Sequence, residues 1–147
     1  MSQSRPLRRG TEDGSAAVEA ALVLPFLLLF VLGSVEFGRA LWTYHRMLLA
    51  VQEAGRYAMV YGASPSLLTS ASCPGVGTVT LPNCAVARAN TYLAQYGATG
   101  VSISASEDTS TPKNLTISAT STFDFITPAL LPFGPLSLSS QVKVPEI

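Results

Sequence analysis

Gly14-Ser15-Ala16-Ala17-Val18-Glu19-Ala20-Ala21-Leu22-Val23-Leu24-Pro25-Phe26-Leu27-Leu28-Leu29-Phe30-Val31-Leu32 is the stretch whose reading decides the fold. Between Glu19 and Glu36 sixteen successive residues carry no charge, and eleven of them are large and apolar. At about −0.3 to −0.6 kcal/mol each near a helix centre, those eleven favour insertion into a bilayer by roughly 3 to 6 kcal/mol. Glu19 and Glu36 stand at the ends, where a charge costs far less than at the midplane. A span needs about 20 residues, and Ala16, Ala17 and Val18 supply what the sixteen lack. A transmembrane segment over about residues 17–36 is expected.

Working outward to the N-terminus, residues 1–14 are polar, show no apolar periodicity and hold Arg5, Arg8 and Arg9. Three arginines close to that end of the span place it on the cytoplasmic side. The rest of the chain then faces the periplasm or the exterior. Both cysteines, Cys73 and Cys84, lie in that part, with ten residues between them in a Pro/Gly-rich stretch. The spacing fits a disulfide formed in an oxidising compartment. Two separate buried thiols are the alternative. Closing a loop of about a dozen residues contributes on the order of 3 kcal/mol in the chain-entropy model.

Working outward to the C-terminus, helical patterning continues past Glu36. Phe37, Leu41, Tyr44, Leu48, Val51, Gly55 and Ala58 recur at spacings of four and three, one stripe of a helix, with Arg39, Arg46 and Glu53 elsewhere on its surface. Glu36 with Arg39 and Glu53 with Arg56 form i,i+3 pairs worth a few tenths of a kcal/mol each. One helix over residues 15–62, about 70 Å long, is expected, with the stripe covering a small core or meeting neighbouring subunits. Residues 63–83 are rich in Ser, Pro, Gly and Thr and read as a loop. A short helix follows over Ala85 to Tyr96, with Val86, Ala89, Leu93 and Tyr96 on one face and Gly97 as its stop. The period then becomes two. Val101, Ile103 and Ala105 alternate with serines, Leu115, Ile117 and Ala119 with Thr and Ser, and Leu136, Leu138, Val142 and Val144 resume the alternation. The turn signal over residues 107–114 separates the first two strands. The fold class is α+β: a long N-terminal transmembrane helix, then a domain over residues 63–147 with a short helix and about three antiparallel strands.

Composition narrows the function. The 147 residues have zero formal net charge and only 12% charged residues, about half the usual soluble value of roughly 25%, which suits a membrane or envelope protein of one domain plus appendages. Without a basic excess or arginine–aromatic interleaving, nucleic acid is not an expected partner. His45 is the only histidine; with two cysteines it cannot complete a zinc set of four N/S ligands. No nucleophile comes with a base and orienter, and no phosphate loop matches. No enzyme activity, cofactor, metal or small-molecule substrate is expected.

Glu19 needs an explanation of its own, because an ionisable residue at membrane depth calls for a partner. Cutting between Gly14 and Ser15 gives Ser15 a new α-amine and makes Glu19 the fifth residue of the mature chain. Amine and carboxylate then stand one helical turn apart and can pair within or between subunits, and leaving either unpaired in lipid costs several kcal/mol. A glutamate that snorkels to the headgroups is the plainer reading. Gly14-Ser15-Ala16-Ala17-Val18-Glu19 resembles the prepilin signals cut after glycine by an aspartic prepilin peptidase. Residues 17–25 followed by Glu36-Phe37-Gly38-Arg39-Ala40-Leu41 are similar to the TadE-like family, minor pilins or pseudopilins of the tight-adherence (Flp-type) pilus machinery. The close likeness covers about residues 8–41; where that family often has an aromatic residue after the glutamate, this chain has Ala20. The resemblance implies leader removal at Gly14, Glu19 as the residue guiding processing and assembly, and a periplasmic domain that helps build or anchor a fibre. The membrane, a prepilin peptidase and other pilin or assembly subunits are the implied partners, in a bacterial inner membrane. Pro25 is expected to kink the helix, either to help subunits pack or as a tolerated membrane proline. Two other accounts stay open: an unprocessed single-pass scaffold of a secretion complex, and a secreted domain behind a conventional signal peptide, although no small-x-small cleavage site precedes Glu36.

Overall fold

The computed structural model describes residues 12–109, 113–126 and 134–145. Helix α1 runs over Glu12–Gly62, and the chain divides into two compact units, Met1–Gly38 and Arg39–Ile147.

The described residues of the first unit, 12–38, are helical. The alanines and leucines there are strong helix formers, and Pro25 lies within the helix without ending it, although proline has no N–H to give the carbonyl one turn back. Ser34 Oγ donates to the Phe30 carbonyl at 2.8 Å, so its hydroxyl finds an acceptor within the helix. Every described side chain from Val18 to Leu32 is exposed, Phe26 at 71% and Phe30 at 75%.

In the second unit α1 becomes one-sided. Met47, Ala50, Val51, Ala54 and Ala58 are buried, and Tyr44 packs beside them. This corrects the expected stripe: Phe37 and Leu41 are exposed, and Met47, Ala50 and Ala54 take the core positions. The 4-and-3 spacing was right, but large size was a poor guide, because the face that meets other elements closely is lined with alanine.

After a single 3-10 turn at Pro65–Leu67, helix α2 covers Leu81–Gln95. It begins four residues before the expected Ala85, because Pro82 sits in the first turn, where its missing N–H costs nothing and its fixed φ suits the helix. The early start puts Cys84 on the helix, and Cys84, Ala85, Ala89 and Leu93 form the buried face, whereas Tyr96 is exposed. The helix ends in a Schellman arrangement. Ala98 N–H donates to Leu93 O at 3.0 Å and Gly97 N–H to Ala94 O at 3.2 Å, with Gly97 at φ +64°, a conformation that favours glycine.

Strands β1 (Val101–Glu107), β2 (Asn114–Phe123) and β3 (Leu136–Pro145) make an antiparallel sheet in that order. Register assigns the two faces. Ala105, Ile117 and Val142 lie in one row, and Glu107, Leu115 and Val144 in another; Leu115, Ile117 and Val144 belong to the core. The alternate rows, such as Ser104–Ser118–Gln141 and Ser102–Thr120–Ser139, are polar. Ser140 keeps the core-facing phase opposite Ala119, so β3 has no break where its apolar alternation lapses. The Asp108 N–H donates to Asn114 O at 2.8 Å, closing the first hairpin.

At Gly55 α1 comes close to the sheet: a Cβ there would lie 3.2 Å from Val142 Cγ1 and 3.5 Å from Val144 Cγ2. Gly55→Leu should therefore cost about 1–3 kcal/mol through overpacking. Gly97→Ala, forced to positive φ, should cost about 1 kcal/mol. Urea unfolding of the full chain in detergent micelles checks both, with a lowered midpoint and an unchanged slope as the expected result.

Candidate functional site

The N-terminal segment that carried the sequence argument lies on α1. Gly14, Ser15 and Glu19 are all exposed helical residues, and Ser15 and Glu19, four apart, share one face of the helix. A Cβ at Gly14 would meet nothing within 4 Å, and its φ is not positive. The fold therefore has no steric need for glycine there, although glycine in a helix costs roughly 0.5–1 kcal/mol relative to alanine. The arginines of residues 1–11 lie outside the described residues.

The span itself is apolar all round and uncovered. One described helix is long and apolar enough to cross a membrane, and none of its most apolar window is buried. Such a surface is stable only against hydrocarbon or other apolar helices.

In the second unit, Cys73 and Cys84 are joined as a disulfide with their Cα atoms 5.4 Å apart, and both are buried. The bridge fixes the 63–80 segment to the first turn of α2. Tyr57 Oη donates to the Ser72 carbonyl at 3.1 Å, so the same segment is held to α1, and the Tyr57 ring stacks on Tyr61 at 4.3 Å. Glu53 joins the helices: Arg88 of α2 gives its Oε1 two hydrogen bonds, from Nε at 3.2 Å and Nη2 at 2.9 Å, while Arg56 approaches Oε2 at 4.0 Å. Two donors on one oxygen orient α2 on α1, but the pair is partly solvated, so its worth is about 1 kcal/mol at most.

Two arginines make three aromatic contacts that were missed from sequence. Arg46 Cζ lies 3.6 Å from the Trp42 ring centroid and 5.8 Å from that of Tyr96. Arg39 Cζ lies 5.2 Å from the centroid of Phe123, whose ring meets Phe125 edge-on at 5.5 Å. The i,i+4 spacing of Trp42 and Arg46 was a readable signal; the partners from α2 and β2 were not. His45 is exposed with its ring 6.4 Å from that of Tyr44, and no group of three or more His, Cys, Asp or Glu that could hold a metal occurs among the described residues.

A membrane-length apolar helix leading into a small disulfide-linked α+β domain defines a class, that of proteins built on a single N-terminal membrane-type helix. Within that class, residues 14–56 match the family model described as TadE-like protein, so this segment is TadE-like and the family is the one its residues resemble. The matched region opens at Gly14 and takes in Glu19 and the core-facing stripe as far as Ala54. Neither the comparison with curated proteins nor that with solved structures gave a match.

Replacing both Cys73 and Cys84 by Ser should lower the stability of the α+β domain by about 3 kcal/mol, the loop-closure contribution of a bridge of this length. Chemical unfolding with and without reductant checks it: the wild-type midpoint should fall to that of the double variant when reduced, and the double variant should ignore the reductant.

Proposed function

We propose that this chain is a minor pilin-like structural component of a tight-adherence pilus assembly, made as a precursor and cut by a prepilin peptidase between Gly14 and Ser15. The observation that carries the proposal is the coincidence at one point of the chain. The TadE-like match begins at Gly14, a glycine the fold does not need, five residues before a carboxylate at the mouth of an uncovered apolar helix.

In this reading residues 1–14 are a cytoplasmic leader, about residues 17–36 lie in the inner membrane, and residues 63–147 form a periplasmic domain, where an oxidising compartment suits the Cys73–Cys84 bridge. Small residues at 15–17 give a peptidase access to the backbone after Gly14. The freed amine of Ser15 stands one turn from Glu19, close enough for a charge-assisted pair with its own carboxylate or with that of a neighbouring subunit. In lipid that pair favours one axial register, since a shift of the helices strands both charges. Pro25 introduces a bend that eases packing against other helices. The role is structural, without a catalytic step. Other pilin or assembly subunits supply the apolar cover that the helix lacks once it leaves the bilayer.

The test is N-terminal mass analysis of the protein from its native envelope, with Gly14→Ala, Glu19→Ala and a strain without the peptidase alongside. The expected result is a mature chain starting at Ser15 in the wild type only when the peptidase is present. Gly14→Ala should leave the unfolding free energy unchanged or raised by up to about 1 kcal/mol yet accumulate as precursor. Glu19→Ala should be recovered in the membrane but lost from assembled complexes. An intact Met1 start in every strain would make this an unprocessed anchor, and a start beyond Leu32 a secreted domain.

A further inference from the structure

One end of the α+β domain has a surface chemistry that the fold itself does not use. Trp42 is 60% exposed and Ile126 67%, and Tyr96 and Leu136 are exposed as well. These four come from four places: α1, the C-terminus of α2, the segment after β2 and the start of β3. The structure gathers them at one end. Phe123 pairs with Leu136 in the sheet register, Arg39 lies over Phe123, and Arg46 lies over both Trp42 and Tyr96. Charge is distributed the other way. Glu107 stands at the far end of the sheet, where Asp108 and Lys143 pair at 3.8 Å; at the aromatic end Asp124 is an exposed carboxylate and Glu36, three residues before Arg39, is a buried one.

Exposed tryptophan, tyrosine and aliphatic residues with a stacked guanidinium are the chemistry of a bilayer interface. The rings suit the headgroup level, and arginine matches phosphate. The length of α1 points the same way. From Glu19 to Glu36 the helix covers only about 26 Å at 1.5 Å per residue, whereas from Glu19 to Trp42 it covers about 35 Å, against a hydrocarbon core of about 30 Å. Glu36 is buried while Phe37 at 66% and Leu41 at 42% are exposed, so the uncovered apolar surface of α1 continues past Glu36 as far as Trp42.

Resting on the membrane reading above, we infer that this end of the domain is a lipid-docking face. Trp42, Tyr96, Ile126 and Leu136 sit in the interfacial layer of a phospholipid bilayer, and the Arg46 guanidinium faces the phosphates of anionic lipids. The domain is thereby held against the membrane surface. The lipid-facing segment ends at Trp42, one and a half turns beyond the Glu36 boundary drawn from charge alone.

Trp42 is the only tryptophan of the chain and reports its own depth. The full-length protein is reconstituted in phosphatidylcholine–phosphatidylglycerol vesicles whose acyl chains carry bromine near the glycerol or near the chain end. A Trp42→Phe/Ile126→Trp double variant provides a second point on the domain. Both tryptophans should be quenched most by the shallow bromines and weakly by aqueous acrylamide. For wild type, brominated phosphatidylglycerol should quench more than brominated phosphatidylcholine, a preference lost in Arg46→Gln. Protein that floats with the vesicles while the tryptophan at 126 answers only to acrylamide overturns the docking face and leaves the membrane reading standing. Strongest quenching of either tryptophan by chain-end bromines overturns it too, as does shielding from every quencher that disappears when protein is diluted in lipid, which would mean a second copy covers the face. Failure to float removes the membrane reading and the docking face together.

Discussion

Everything in this chain follows from one helix having to satisfy two surroundings. From Ala20 to Leu32 α1 is exposed on every side and apolar on every side, so no rotation about its axis buries that surface within the protein. From Glu36 onward the same helix has a buried face. Glu36, Met47, Ala50, Val51, Ala54 and Ala58 are buried, and they fall on one stripe by helical spacing. The change is made without breaking the helix, by a change of pattern alone: a solid apolar cylinder becomes an amphipathic one.

That second pattern dictates what the domain can be. Its contact face is built from alanine, with Gly55 close to Val142 and Val144, so the backbone of α1 comes close to the strands and little side-chain area is available to each contact. α2 repeats the choice with Ala85 and Ala89. At roughly 25 cal/mol per Å², alanine contacts contribute less each than leucine would, and the larger contributions fall to Met47, Leu93, Leu115 and Ile117. A core of small residues in a domain of this size gains most from covalent reinforcement. The Cys73–Cys84 bridge provides it where the chain between the helices forms only one 3-10 turn of its own.

The sequence made some of this legible for clear reasons. Strand positions were readable because Val101, Ile103 and Ala105, then Leu115, Ile117 and Ala119, keep a strict period of two, and the structure pairs them in adjacent antiparallel strands. The span was readable because sixteen uncharged residues admit few other accounts. What failed did so where size stood in for contact. Phe37 and Leu41 looked like core and are exposed, because a bulky residue on a helix can equally face lipid, while Ala50 and Ala54 looked incidental and are completely buried. Pro82 lies in a stretch whose composition reads as loop, although its place at the start of a helix is favourable. The Glu53–Arg88 pair, 35 residues apart, and the seating of Arg46 between Trp42 and Tyr96 depend on how α2 returns to α1, which no local pattern encodes. Of the candidate site, Gly14, Ser15 and Glu19 could be named from sequence; that Gly14 has no steric reason to be glycine needed the structure.

On the pilin-like reading, the placement of charge on α1 bears on how the helix moves between bilayer and fibre. Its eleven large apolar residues favour the bilayer by roughly 3 to 6 kcal/mol, which contacts with other helices can match only if they cover most of the circumference. Alanines around Glu19, at 16, 17, 20 and 21, let another helix approach closely at that one level, where van der Waals packing and a polar pair act together. Glu36 is treated differently: it is buried, out of reach of a neighbouring helix. Of the two glutamates that bracket the span, then, Glu19 is exposed to a partner and Glu36 is not. On the pilin-like reading, register between subunits is accordingly set at the N-terminal end of the helix, while the Glu36 end belongs to the fold of a single chain.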